Sequence, residues 1–262
     1  MGKYKRVNVD EITKEKLLSM IDYTLLKPEA TIQELSTFLR DATKWGFASV
    51  FIPPCYVPLA CGMLSATSVV VGAPVSFPYG YCAPEVKAAE ALRILEDGGR
   101  EIDVVMNISA ALSGEWEIVS EDLEAVAKAV REWEKVNASE RIIIKLILET
   151  PYLNDEQKKE ACKRALVADF DYVKTATGLG PGGATVEDVM LMKEVVGEEM
   201  GVKASGGVRS WTDAKAMIEA GATRIGTSTG PQIIIDFMRH AIGEESKESF
   251  DSEESGGGEY TY

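Results

Sequence analysis

The sequence predicts a single α/β domain, a (β/α)8 TIM barrel over residues 1–242, followed by an acidic tail over 243–262. Three observations carry that expectation. Eight short β-rich runs recur along the chain, amphipathic stretches separate them, and about 240 residues is a usual size for such a barrel. The runs are residues 20–25, 49–52, 68–75, 101–107, 141–148, 172–176, 202–205 and 224–227. Strands that alternate with helices pair in parallel through right-handed crossovers.

Taken in order, the first run precedes a helix opened by Thr31, with Glu34 three residues on, the spacing of a capping box. The third precedes a helix whose apolar spacing is read on Val86, Ala89 and Leu92. The fourth precedes a longer helix with Leu123, Val126, Val130 and Trp133 at helical spacing. The sixth is followed by a glycine-rich stretch and a helix capped by Thr185. Ser210 and Asp213 cap the helix after the seventh, and Pro231 suits the first helical position after the eighth.

Composition narrows the function classes. The chain is 45% hydrophobic and 27% charged, too apolar for a disordered protein. The net charge is -14, of which the tail supplies -6 and the body -8. An acidic body disfavours nonspecific nucleic-acid binding, so any anionic ligand must be held by a local site. No apolar run of about 18 residues suggests a membrane helix, and the N-terminal stretch lacks the apolar centre of a secretory signal. A cytoplasmic protein is expected. The tail is rich in Ser, Gly and acids and should be disordered.

Cys55, Cys61, Cys82 and Cys162 form no C-x-x-C pair, so reduced thiols are expected. The single histidine, His240, lies near the end of the last helical pattern. A Ser-His-Asp triad, a Cys-His pair or a His-based metal site would need it at the chemistry. No metal and no cofactor is expected.

Barrel strands are packed on both faces and should be apolar throughout. Five of these carry ionisable residues instead: Asp22, Asp103, Lys145, Lys174 and Lys203. A charge inside a strand is costly unless it meets a partner, which favours the inward face. Lys174 and Lys203 fall on the adjacent sixth and seventh strands, about 4.8 Å apart. Two ammonium groups at about 5 Å repel by roughly 3 kcal/mol at an effective dielectric of about 20. Burial acts in the same direction, so a lysine amine here is expected to be substantially neutral at about pH 7–8. A neutral amine attacks carbonyls, which is the activation of a Schiff-base lysine. Lys145 competes for that role, but pairing with Asp103 would keep it an ammonium.

Two glycine-rich turns follow the seventh and eighth strands, at Ser205-Gly206-Gly207 and Gly226-Thr227-Ser228. Phosphate sites in these barrels are commonly built there. A third glycine pattern, Gly178, Gly180 and Gly183, has dinucleotide-binding spacing. It comes late in the chain, Pro181 interrupts it, and the next strand ends in no acid.

The segments IDYTLLKPEAT, EIDVVMNISAALSGEW, YVKTATG, GVKASGGVRS and RIGTSTG together resemble deoxyribose-phosphate aldolase, a class I aldolase. They run in that family's order from residue 21 to 230. Tyr23 stands where His is common in the family and Ala176 where Ser is common. The resemblance implies reversible cleavage of 2-deoxy-D-ribose 5-phosphate to D-glyceraldehyde 3-phosphate and acetaldehyde. It implies Lys174 as the Schiff-base residue, Lys203 as the neighbour that activates it and Asp103 in proton transfer. Asp22 and Lys145 would orient this relay, and Gly206, Gly207, Gly226 and Ser228 would cradle the phosphate. The partner is then a small phosphorylated sugar, with a homo-oligomer, dimer or tetramer, compatible with the chain. The competing readings are another Schiff-base aldolase, an isomerase using Asp103 as base, and a binding protein whose tail recruits a partner.

Overall fold

A computed structural model describes residues 3–242, and the tail expected to be disordered lies outside the described residues. Eight parallel strands close into a barrel in sequence order. They are β1 Ile21–Thr24, β2 Ser49–Phe51, β3 Val70–Val75, β4 Glu101–Val105, β5 Ile143–Ile147, β6 Tyr172–Lys174, β7 Gly201–Ser205 and β8 Arg224–Thr227. All eight fall within, or within one residue of, the runs read from the sequence. The fourth run ends early because Asn107 leaves the strand to cap the next helix, accepting from the amide of Ala110.

The helices are α1 Lys14–Leu18, α2 Ile32–Trp45, α3 Val57–Leu64, α4 Pro84–Glu96, α5 Ile108–Leu112, α6 Trp116–Val136, α7 Asp155–Val167, α8 Val186–Val196, α9 Trp211–Ala220 and α10 Gly230–Ala241. Capping boxes open α2 at Thr31 and α9 at Ser210. Thr185 caps α8, two residues beyond Gly183, so the Gly178-Gly180-Gly183 pattern opens no helix directly. Its third glycine serves packing: a Cβ on Gly183 would lie 2.2 Å from the Gly206 carbonyl oxygen.

The apolar stripe expected on α4 is a correction. Val86 is exposed, and the buried face is instead Lys87, Ala91, Ile94 and Leu95. A cation sits on that face, which hides its phase from an apolar count. Lys87 Nζ meets Asp122 Oδ2 of α6 at 2.5 Å and donates to the carbonyl of Val105 at 2.8 Å. The pair therefore ties two helices to the end of β4.

The main core lies between strands and helices. Each inward charge is flanked by outward apolar neighbours: Ile102 and Val104 around Asp103, Ile144 and Leu146 around Lys145, Val202 and Ala204 around Lys203. This is the period-two alternation of a strand with the helix layer on one side and the barrel interior on the other. Tyr23 follows the same rule. It points outward and stacks on Phe38 of α2, with ring centroids 4.1 Å apart.

Candidate active site

Register places the ionisable side chains together. Asp103 on β4 pairs with Lys145 on β5, and Lys174 on β6 pairs with Lys203 on β7. Neighbouring residues in parallel register point to the same face. All five ionisable residues singled out in the sequence meet inside the barrel, and two more join them, Glu101 from β4 and Arg224 from β8.

Asp103 is the hub. Its Oδ2 accepts from Lys174 Nζ at 2.8 Å and from Lys203 Nζ at 2.7 Å, and its Oδ1 accepts from Lys145 Nζ at 3.1 Å. Asp22 Oδ2 lies 2.5 Å from Lys203 Nζ and 3.5 Å from Lys145 Nζ. Ser49 donates to Asp22 Oδ1 at 2.7 Å. Below them Arg224 forks between two carboxylates, 2.9 Å from Asp22 Oδ1 and 2.9 Å from Glu101 Oε1. Glu101 also accepts from Lys145 at 2.5 Å. The ring of Phe51 lies against the amines, 3.9 Å from Lys203 Nζ and 4.3 Å from Lys145 Nζ at its centroid, a cation–π arrangement. Gly72 leaves room for that ring, since a Cβ there would lie 2.6 Å from it.

The sequence suggested two amines facing each other directly. The structure puts a carboxylate oxygen between them. Burial alone would push Asp103 up, but Lys145, Lys174 and Lys203 outweigh it and hold its carboxyl far below the usual range. Asp22 behaves alike, with Arg224, Lys145 and Lys203 overcoming burial. Burial pushes the Lys145 ammonium down, yet Asp103, Asp22 and Glu101 prevail and keep it protonated. Lys203 goes the other way. Burial dominates, Lys174 and Lys145 add to it, and Asp103 and Asp22 recover only part, leaving it at about 8.

Of the three lysines only Lys174 lines a cavity, a hollow of about 250 Å³ at the C-terminal mouth of the barrel. Gly206, Gly207, Gly226 and Ser228 line the same hollow, so every expected phosphate residue shares it with Lys174. Gly206 and Gly207 have φ of 91° and 81°, a left-handed turn that favours glycine. Gly226 has a second duty: a Cβ there would lie 2.9 Å from Lys203 Cε, so its bareness makes room for that side chain. Thr175 and Ser205 lock the two loops, with Thr175 Oγ1 donating to the Ser205 carbonyl and Ser205 Oγ to the Ala176 carbonyl.

Four contributors went unread in the sequence. Glu101 and Arg224 begin their strands, where a charge passes for a boundary. Phe51 is apolar within an apolar run. Arg209 lines the cavity two residues after Gly207, and only its place in a glycine-rich turn could have signalled it. His240 sits exposed in the last turn of α10. The four cysteines are free. Among the described residues no cluster of three His, Cys, Asp or Glu is placed to hold a metal ion, and no helix is long and apolar enough to cross a membrane.

The model of the DeoC/LacD family aldolases matches residues 10–234. The chain belongs to that aldolase family. This aldolase is a carbon–carbon lyase. It is 50% identical over 227 residues to the deoxyribose-phosphate aldolase of Caldanaerobacter subterraneus subsp. tengcongensis, covering 87% of this chain and 96% of that one. Among solved structures it is similar to an aldolase called QR15, with 37% identity and a TM-score of 0.78 over 86% of this chain and 98% of that one. It is also similar to the deoxyribose phosphate aldolase of Aeropyrum pernix, described as tetrameric, with 32% identity and a TM-score of 0.78 over 88% and 94%.

Proposed function

We propose that this aldolase reversibly cleaves 2-deoxy-D-ribose 5-phosphate into D-glyceraldehyde 3-phosphate and acetaldehyde through a Schiff base on Lys174. The observation that carries the proposal is the position of Lys174, the one amine of the buried cluster that reaches the cavity. The glycine turns line the same cavity, with Arg209 and Lys27 supplying positive charge on its wall. The names of the relatives support the same substrate.

The steps follow from the placement. The Lys174 amine attacks the C1 carbonyl of the open-chain sugar, and loss of water leaves an iminium. The C3 hydroxyl gives up its proton, the C2–C3 bond breaks, and its electron pair moves to the iminium nitrogen as an enamine. D-Glyceraldehyde 3-phosphate departs. A proton returned to C2 restores the iminium, and water hydrolyses it to acetaldehyde and the free amine. Asp103 is held too acidic to store a proton near neutrality, so it acts as a conductor. Lys203, at about 8, holds or yields one at working pH and touches Asp103 at 2.7 Å. Asp22 and Lys145 fix the orientation of both. Gly206, Gly207, Gly226 and Ser228 offer backbone and hydroxyl donors to the phosphate.

Borohydride reduction in the presence of substrate, followed by peptide mapping, tests the reading. An adduct on Lys174, absent from a folded and inactive Lys174→Leu variant, is the expected result. No adduct, or one on Lys145 or Lys203, overturns it.

A further inference from the structure

The barrel interior holds an unequal count of charges. Three carboxylates, Asp22, Glu101 and Asp103, face four cations, Lys145, Lys174, Lys203 and Arg224. Around them Lys27 and Arg209 line the cavity with Lys174 and Glu149 is buried just after β5, but among the described residues none of the three is ion-paired with these seven. β2 contributes Ser49 and Phe51, and β3 contributes no ionisable side chain. β6 adds the Tyr172 hydroxyl beside Arg224, with the ring of Tyr4 against its far edge, and burial keeps both phenols neutral.

One excess positive charge in a low-dielectric interior is unfavourable, and the cluster becomes neutral by releasing one proton. The contacts say where. Arg224 cannot release it, because a guanidinium stays charged at any physiological pH. Lys145 touches three carboxylates. Lys174 meets one carboxylate, Asp103, and Lys203 meets two, Asp103 and Asp22; because both crowd the same oxygen, Asp103 Oδ2, these two amines are held less well than Lys145.

We propose that Arg224, which touches neither substrate cavity nor reacting atoms, is a positioning residue that forces one of these two amines to be neutral. By occupying Asp22 and Glu101 with a permanent cation, it withholds the carboxylate charge that would otherwise keep all three lysines protonated. The proposal rests on the Schiff-base reading and deepens it.

Charge counting gives a test that a merely structural arginine would fail. In Arg224→Gln three carboxylates face three lysines, and every lysine keeps its proton. The acid limb of the kcat/KM against pH profile then moves up by a pH unit or more. At pH 7 kcat/KM falls tenfold or more, and it recovers towards the wild-type value at high pH. Arg224→Lys keeps the count and leaves the limb in place. In Arg224→Gln/Glu101→Gln two carboxylates face three lysines, the excess returns, and the limb moves back to within half a pH unit of wild type. A structural role predicts instead a loss of equal size at every pH, worse in the double variant. Circular dichroism establishes that each variant is folded. An unmoved limb in folded Arg224→Gln, or a limb moved equally by Arg224→Lys, overturns the proposal. Should Arg224→Gln fail to fold, the double variant decides, and a limb displaced upward there overturns it. Borohydride trapping on the wild type runs alongside. Loss of the Lys174 adduct sinks the covalent reading, whereas an unmoved limb with the adduct present sinks only the role of Arg224.

Discussion

Lys87→Met should cost about 4 kcal/mol of stability at pH 7 and much less at pH 5. In the native chain Lys87 and Asp122 are both buried, their side chains 0% and 2% exposed, and joined at 2.5 Å. Removing one partner of such a pair strands a charge, at a cost of about 3–5 kcal/mol. The stranded carboxylate escapes by taking a proton. At pH 7, about three pH units above its ordinary pKa near 3.9, that uptake costs about 4 kcal/mol at 1.36 kcal/mol per unit. At pH 5 the same uptake costs about 1.5 kcal/mol. The sign follows, because a group whose pKa is raised in the folded state gains stability as pH falls. Burial already pushes the Asp122 carboxyl up in the wild type, against the pull of Lys87. Urea unfolding of wild type and variant at both pH values reads the difference. Lys87→Met/Asp122→Leu, which strands nothing, should recover most of the loss. A penalty below about 1 kcal/mol at pH 7, or the same penalty at both pH values, would refute the reasoning.

Two further predictions concern the glycines of the cavity. Gly226→Ala drives a methyl to within 2.9 Å of Lys203 Cε. It should lower kcat at least tenfold with a smaller change in KM, measured by coupled assay of the released aldehyde; an unchanged kcat would show that Lys203 does not need this space. Gly207→Ala meets open space but must hold φ near 81°. It should cost about 1–2 kcal/mol in urea unfolding and raise KM for the phosphorylated substrate. An unaltered KM would remove Gly207 from the phosphate cradle.

How much of this was legible in the sequence depends on what kind of signal each residue gives. Lys145 in IIIKLILE is conspicuous because an oily strand has no cheap place for a charge except the interior. The same logic found Asp22, Asp103, Lys174 and Lys203, and the recurrence of eight such runs between amphipathic stretches gave the barrel. Arg224 and Glu101 do the same electrostatic work but sit at strand starts, where polar residues are ordinary. Phe51 reads as one more apolar residue; that its ring meets the lysine amines depends on barrel closure and on the gap at Gly72, neither of which is local. Lys87 misled in the opposite direction. Its charge lies on the buried face of α4 because a partner 35 residues away waits there, and no window along a single helix contains that partner.

The burial of the lysines around Phe51 has a consequence for traffic. Lys145 and Lys203 are sealed at 0% exposure and the ring itself at 1%. Lys174, 4% exposed, lines the cavity, so a hydrogen ion that reaches Lys203 from the cavity by way of Asp103 passes Lys174 first. In the proposed Schiff base on Lys174, that doorway is occupied by the reactant.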